Sequence, residues 1–93
     1  MSGKCKKHIF LSGRVQGVGF RASIRKKAGL LNINGWVKNL RDGRVEAVFT
    51  GNPENVEEII NFAKKGTRYA RVDNIEVNEE EYRDEYKNFQ IKF

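Results

Sequence analysis

A chain of 93 residues can bury one modest hydrophobic core, so its length predicts one domain, residues 1–93. Hydrophobic residues make up 39% of the chain and aromatic residues 11%, which argues against disorder, and no apolar stretch is long enough to cross a membrane. The net charge of +6 is uneven, because residues 1–44 hold eleven Lys and Arg but only Asp42 as an acid, and such a basic field attracts anionic ligands.

The first two predicted elements flank a loop that contains glycine. The apolar run His8–Val15 predicts a buried strand. Apolar residues then recur at the spacing of a helix: Phe20, Ile24, Ala28 and Leu31. Asn32 follows this pattern and is predicted to end the helix in a left-handed conformation. A strand therefore enters the loop and a helix leaves it.

The middle of the chain predicts a hairpin followed by a second helix. The runs NGWVKNL (34–40) and RVEAVF (44–49) are of β type, and the intervening Asp-Gly favours a tight turn. In the segment 52–66, Asn52 is expected to cap the helix with its side chain and Pro53 suits the first helical position. The predicted core stripe of this helix consists of Val56, Ile59, Ile60 and Ala63.

The last part of the chain predicts two more strands. Residues 70–80 form the first, with Val72, Ile75 and Val77 on its apolar face, and NEEEYRDEY (78–86) is expected to be a solvated acidic loop. In the final strand, residues 88–93, alternation places Phe89, Ile91 and Phe93 inward. The first six of these elements have the order β-α-β-β-α-β, which predicts an α+β, ferredoxin-like sandwich. We expect a mainly antiparallel sheet of four or five strands with two helices on one face.

The loop sequence GRVQGVGFR (13–21) has the composition of an anion site. Gly17 and Gly19 permit positive φ at alternate positions, which turns successive N–H groups toward one centre. The helix that starts near Phe20 adds its positive dipole end. Arg21 lies in the first turn, where its guanidinium can fold back and grip two oxygens. A tight turn with an incidental charge is the alternative, and the strand-loop-helix context favours the anion site.

Asn39 stands out because asparagine is disfavoured in strands. Its side chain could bond its own backbone at the approach to the hairpin. Alternatively, the amide, which both donates and accepts, could hold a water molecule at a fixed angle to a bound phosphate.

The other reactive side chains offer no site. His8 is expected to pack or to face solvent, and Cys5 to lie near a frayed terminus. One cysteine cannot form an internal disulfide, which fits a reducing cytoplasm. No Cys/His cluster has the spacing of metal ligands, so neither metal nor cofactor is expected, and water must be the attacking group.

With these residues in view, the chain resembles the acylphosphatase family over nearly its whole length. The resemblance rests on GRVQGVGFR (13–21), GWVKNLRDGRVEAVFTG (35–51) and ARVDNIEV (70–77). It implies an enzyme that hydrolyses the carboxyl-phosphate bond of acyl phosphates without a metal. Many relatives have Gly at the position of Asn32, and proline is frequent where this chain reads GTRYA (66–70). Neither departure falls on a catalytic position.

The resemblance also assigns roles. The phosphate-binding loop of the family falls on Val15, Gln16, Gly17, Val18, Gly19 and Phe20. The essential arginine falls on Arg21 and the water-orienting asparagine on Asn39. The implied partners are a small acyl phosphate and, as competitors, inorganic phosphate or sulfate. We expect a cytoplasmic monomer without a nucleic-acid or membrane partner.

Two alternatives stay open. A small basic ferredoxin-like domain could bind RNA or another anion without catalysis, although the run GRVEAVFTG (43–51) lacks the aromatic pattern of such sheets. The chain could also be an acylphosphatase-like domain of a larger protein that handles carbamoyl phosphate. The sequence stops at Phe93 without a linker, which favours an independent enzyme.

Overall fold

The computed structural model describes residues 3–93, so Met1 and Ser2 of the predicted domain 1–93 lie outside the described residues. The elements follow in the order β1 (Cys5–Arg14), α1 (Phe20–Leu30), β2 (Asn34–Asn39), β3 (Val45–Gly51), α2 (Pro53–Lys65), β4 (Arg71–Glu80) and β5 (Phe89–Lys92). Neither α1 nor α2 has the length and apolar character needed to cross a membrane.

The strands form one sheet in the order β4-β1-β3-β2-β5. Strand β1 is antiparallel to both β3 and β4, and β2 is antiparallel to β3. Strand β5 lies parallel to β2 at the edge of the sheet. The predicted ferredoxin-like α+β fold is therefore confirmed, with five strands rather than four.

One face of the sheet carries both helices, and the core lies between them. Because side chains alternate along a strand, Ile9 and Leu11 of β1 point to the same face as Val37 of β2 and Phe49 of β3, and all four are buried. Helix α1 packs on β2 and β5, α2 packs on β1, β3 and β4, and the helices touch each other. The ends of β1, β2 and β5 consequently lie close to the start of α1.

The ends of the two helices agree only in part with the prediction from the sequence. Asn32 has a φ of 54°, as predicted, and the N–H of Ile33 donates to the carbonyl of Ala28 over 2.9 Å to close α1. Asn52 is the N-cap residue of α2 and Pro53 begins the helix, as predicted, and the carbonyl of Asn52 accepts the N–H of Val56 over 2.9 Å. The side chain of Asn52, however, makes no capping hydrogen bond.

The surroundings of Phe93, Val77 and Cys5 differ from those that the sequence predicts. Phe93 is fully exposed, since it follows the last residue of β5 and no element covers it. Val77 is also exposed, because it lies on edge strand β4 beside an open pocket that separates it from α2. Cys5 begins β1 and pairs with Gly51 rather than fraying, and burial raises the pKa of its thiol.

The open face of the sheet contains an ionic cluster that the sequence did not predict. His8 Nε2 lies 2.6 Å from Glu46 Oε2, and His8 Nδ1 lies 2.9 Å from Glu80 Oε2. Glu80 belongs to β4 and also pairs with Lys6, so the start of the predicted acidic loop is strand. His8 thus ties β1 to the strands on both sides of it.

This cluster predicts pH-dependent stability. Burial lowers the pKa of His8, but the hydrogen bonds to Glu80 and Glu46 outweigh it and raise the pKa above the ordinary value. Because the folded-state pKa is raised, the stabilisation is complete below about pH 6.5 and is lost as the pH rises through the folded-state value. The stability lost in His8→Gln, measured by urea unfolding, should therefore be larger at about pH 6 than at about pH 9.

Lys7→Gln is the matched control, because it removes the neighbouring Lys7–Glu79 pair, 3.2 Å long, and leaves His8 with both of its glutamates. Its effect should be the same at both pH values. Equal losses for His8→Gln at both values would show that protonation of His8 does not support the fold.

Candidate active site

The loop between β1 and α1 has the backbone conformation that the sequence predicts. Gly17 has a φ of 74° and Gly19 a φ of 75°, both in the left-handed region. Val15 and Phe20 are buried and anchor the two ends of the loop in the core. Left-handed residues at alternate positions make successive backbone N–H groups converge, which forms a site for an anion.

The N-terminus of α1 adds positive potential at the same place. Gly19 precedes the helix, and its carbonyl accepts the first helical hydrogen bond, from Ser23 N–H over 3.1 Å. The first turn of α1 contains no acidic side chain, so nothing on the helix itself neutralises its positive end.

A pocket of about 160 Å³ opens beside this loop. It is lined by Val15, Gly17, Gly19, Phe20, Arg21, Ala22, Ile91 and Phe93. The structure therefore brings together five of the residues that the sequence places in the site, together with the end of β5. Gln16, Val18 and Asn39 do not line this pocket.

Arg21 is held by an aromatic ring rather than by an acid. The carbon Cζ of its guanidinium lies 5.1 Å from the ring centroid of Phe93, a cation–π contact. None of the ion pairs among residues 3–93 includes Arg21. Its donors consequently remain free for an anion from solution. Sequence reasoning missed Phe93, because alternation along β5 predicted an inward ring.

Asn39 ends β2, where it pairs with Val45 of β3 and, by alternation, shares the helix-bearing face with Val37. Its Oδ1 is buried and has no hydrogen-bond partner within residues 3–93. A buried acceptor without a partner costs about 1–3 kcal/mol, which a bound donor would offset. The amide oxygen is thus available to accept a hydrogen bond from a donor such as water.

The side chain of Gln16 connects the loop to the β2–β3 hairpin. Its Nε2 donates to the carbonyl of Leu40 over 2.7 Å and to the carbonyl of Arg44 over 2.9 Å. Sequence reasoning assigned only the backbone amide of Gln16 to the site. The local pattern could not reveal these bonds, since their acceptors lie 24 and 28 residues further along the chain.

No group of three or more His, Cys, Asp or Glu side chains is placed to hold a metal ion anywhere in residues 3–93. Among the described residues that line the pocket beside the loop, Arg21 is the charged one, and the pocket lies at the positive N-terminus of α1. This arrangement suits the binding of a phosphate-sized anion and the placement of a water molecule beside it.

Comparison with known proteins gives a consistent result. The family model described as acylphosphatase matches residues 7–91. A curated acylphosphatase from Syntrophobacter fumaroxidans is 47% identical over 97% of this chain and 93% of its own length. The crystal structure of acylphosphatase from Bacillus subtilis superposes with a TM-score of 0.91 at 34% identity, over 96% of this chain and 99% of that chain. The crystal structure of T. kodakarensis HypF superposes with a TM-score of 0.83 at 36% identity, over 96% of this chain but 12% of that chain.

The left-handed loop predicts that Gly19→Ala weakens anion binding. A Cβ at Gly19 would meet no atom within 4 Å, so the penalty is conformational, about 1–2 kcal/mol. Relief of that strain would turn the adjacent N–H groups away from the pocket. The dissociation constant of inorganic phosphate, measured by calorimetry, should rise about tenfold.

Gly29→Ala is the matched control, since Gly29 lies inside α1 and its added Cβ also meets nothing. It should stabilise the fold by about 0.5–1 kcal/mol and leave phosphate affinity unchanged. Unchanged affinity in Gly19→Ala would contradict the role of the left-handed glycine.

Proposed function

The chain belongs to the acylphosphatase family, and we propose that it hydrolyses the carboxyl-phosphate bond of acyl phosphates, without a metal ion, through residues 15–21 and Asn39. The observation that carries this proposal is the conjunction of an anion-binding loop with an ion-pair-free arginine at a helix N-terminus. The products are a carboxylate and inorganic phosphate.

The phosphoryl group is held by two kinds of donor. The backbone N–H groups of residues 15–20 surround it, and the guanidinium of Arg21 binds two of its oxygens. Phe93 lies under the guanidinium and limits its freedom before the substrate arrives. Charge that develops on the phosphoryl oxygens in the transition state meets donors already in position, which is the main source of catalysis in phosphoryl transfer.

Asn39 orients the attacking water. Its buried Oδ1 accepts a hydrogen bond from the water, which directs a lone pair of the water oxygen toward phosphorus, opposite the leaving group. As the new P–O bond forms, the bond to the acyl oxygen breaks and its electron pair leaves with the carboxylate. A phosphoryl oxygen of the substrate takes the water proton, so no base on the protein is needed. No acid is needed either, because the carboxylate is a good leaving group and departs as an anion.

The chain is further proposed to act as a single domain and as a monomer, with inorganic phosphate or sulfate as competitors. The shared core of all five strands and both helices supports the single domain. The open face of the sheet argues against the RNA-binding alternative. There, Arg44 already stacks on Phe10 and Lys92 on Trp36, and the carboxylates of Glu46 and Glu80 lie close by and would repel a phosphate backbone.

The test of this function is phosphate release from benzoyl phosphate in the presence of a chelator. Hydrolysis should proceed at the same rate with and without the chelator, and inorganic phosphate should inhibit it competitively. A rate abolished by the chelator, or tight RNA binding without any hydrolysis, would overturn the proposal.

Two variants should separate binding from turnover. Arg21→Gln removes the guanidinium that grips the anion, so phosphate binding and hydrolysis should both be lost. Asn39→Ala leaves the loop intact, so phosphate should still bind while kcat falls by about 10²-fold or more. Inhibition constants for phosphate and kcat, measured on the same preparations, distinguish the two effects.

Arg25→Gln and Asn61→Ala are the controls, because both residues are exposed and Arg25 lies one turn beyond Arg21 on α1. Both should keep wild-type kcat and phosphate inhibition. Near-normal turnover in Asn39→Ala would rule out the water-orienting role.

A further inference from the structure

We propose that Gln16 is a positioning residue whose side chain holds Asn39 in register with the phosphate-binding loop and thereby controls turnover rather than anion binding. The inference rests on the proposed function, since it requires that Asn39 orient the attacking water. It assigns to the side chain of Gln16 a role separate from that of its backbone amide.

The hydrogen bonds of Gln16 form a clamp across the turn that joins β2 to β3. The two bonds from Nε2, 2.7 Å to the Leu40 carbonyl and 2.9 Å to the Arg44 carbonyl, use both hydrogens of the amide group. The Arg44 carbonyl also accepts the N–H of Leu40 over 2.8 Å. The side chain therefore binds both sides of the hairpin, at the residues where the strands end and the turn begins.

The position of this clamp relative to Asn39 gives it a function. Leu40, whose carbonyl accepts the shorter bond, directly follows Asn39 in the chain. A movement of the Leu40 peptide away from the loop would carry the backbone of Asn39 with it. Gln16, in turn, lies inside the segment whose N–H groups face the anion, so the clamp connects the two parts of the proposed site.

The sheet topology makes such a connection necessary. Strand β1, which leads into the loop, is not a neighbour of β2, because β3 lies between them. The ladder therefore fixes Asn39 against Val45 of β3 but makes no direct bond between the ends of β1 and β2. The side chain of Gln16 reaches Leu40 and Arg44, just before β3 begins, and sets the distance from loop to hairpin directly.

The two parts of the site should respond differently when the clamp is removed. The N–H groups and Arg21 belong to one continuous segment, residues 15–21, anchored by buried Val15 and Phe20. Anion binding should consequently survive. The water held by Asn39 would shift relative to phosphorus, and a displacement of about 1 Å can lower a rate about 10²-fold.

The first experiment measures Gln16→Leu, which removes both donors at similar size. We expect kcat for benzoyl phosphate to fall by about 10- to 100-fold while the inhibition constant of inorganic phosphate changes by less than about threefold. The matched control is Asn55→Leu, which removes the half-buried bond from Asn55 Nδ2 to the Leu31 carbonyl, 3.1 Å long, away from the loop. It should lower the melting temperature without changing kcat.

Gln16→Glu supplies a readout that a merely structural role would not change, and it is a second variant should Gln16→Leu fold poorly. A carboxylate cannot donate to the two carbonyls, whereas the protonated acid can donate once. Its kcat relative to wild type should therefore recover as the pH falls, and that of Gln16→Leu should not. Absence of this difference would overturn the proposal.

A double-mutant cycle with Asn39→Ala tests whether Gln16 acts through Asn39. In the Asn39→Ala background, Gln16→Leu should lower kcat by less than about twofold, because the residue that it positions is gone. A full additional loss, or a parallel loss of phosphate affinity in the single variant, would overturn the proposal. Either result would leave the proposed function intact, since that function is tested by hydrolysis in the wild-type protein.

Discussion

A phosphoryl group is bound strongly only where donors converge on it before it arrives, and the proposed site depends on such a convergence at residues 15–20. The left-handed conformations of Gly17 and Gly19 direct the N–H groups, and they would be strained for residues with a Cβ. The N-terminus of α1 points to the same place with no acid in its first turn. The proposed reaction uses these fixed dipoles together with the guanidinium of Arg21, so that little reorganisation accompanies the development of charge.

The pairing of strands in the sheet determines which residues surround this loop. Parallel pairing of β5 with β2 brings the end of the chain to the start of α1, where Phe93 meets Arg21. Antiparallel pairing of β2 with β3 places Asn39 at the same end, on the face that bears the helices. Because β1 and β2 are separated by β3, the register between loop and hairpin depends on a side chain, that of Gln16.

Acidic and basic side chains are also unevenly distributed in the fold. The acidic residues of β4 and the following segment neutralise the start of β1, where Lys6, Lys7 and His8 meet Glu79, Glu80 and Glu85. Among residues 3–93, Arg14 and Arg21, which stand at the two ends of the loop, belong to none of the ion pairs. The positive field that the sequence indicated therefore persists in the fold beside the loop, where it favours the approach of an anion.

The sequence by itself determined the features that depend on neighbours along the chain: the order of elements, the positive φ of Gly17, Gly19 and Asn32, and Arg21 in the first turn of α1. These follow from local sterics and periodicity, which a short window of residues contains. Only the tertiary structure decided that Phe93 is exposed under Arg21, that His8 joins two carboxylates and that Gln16 clamps the hairpin. Each of these contacts joins residues far apart in the chain, and strand order and register, rather than local pattern, bring them together.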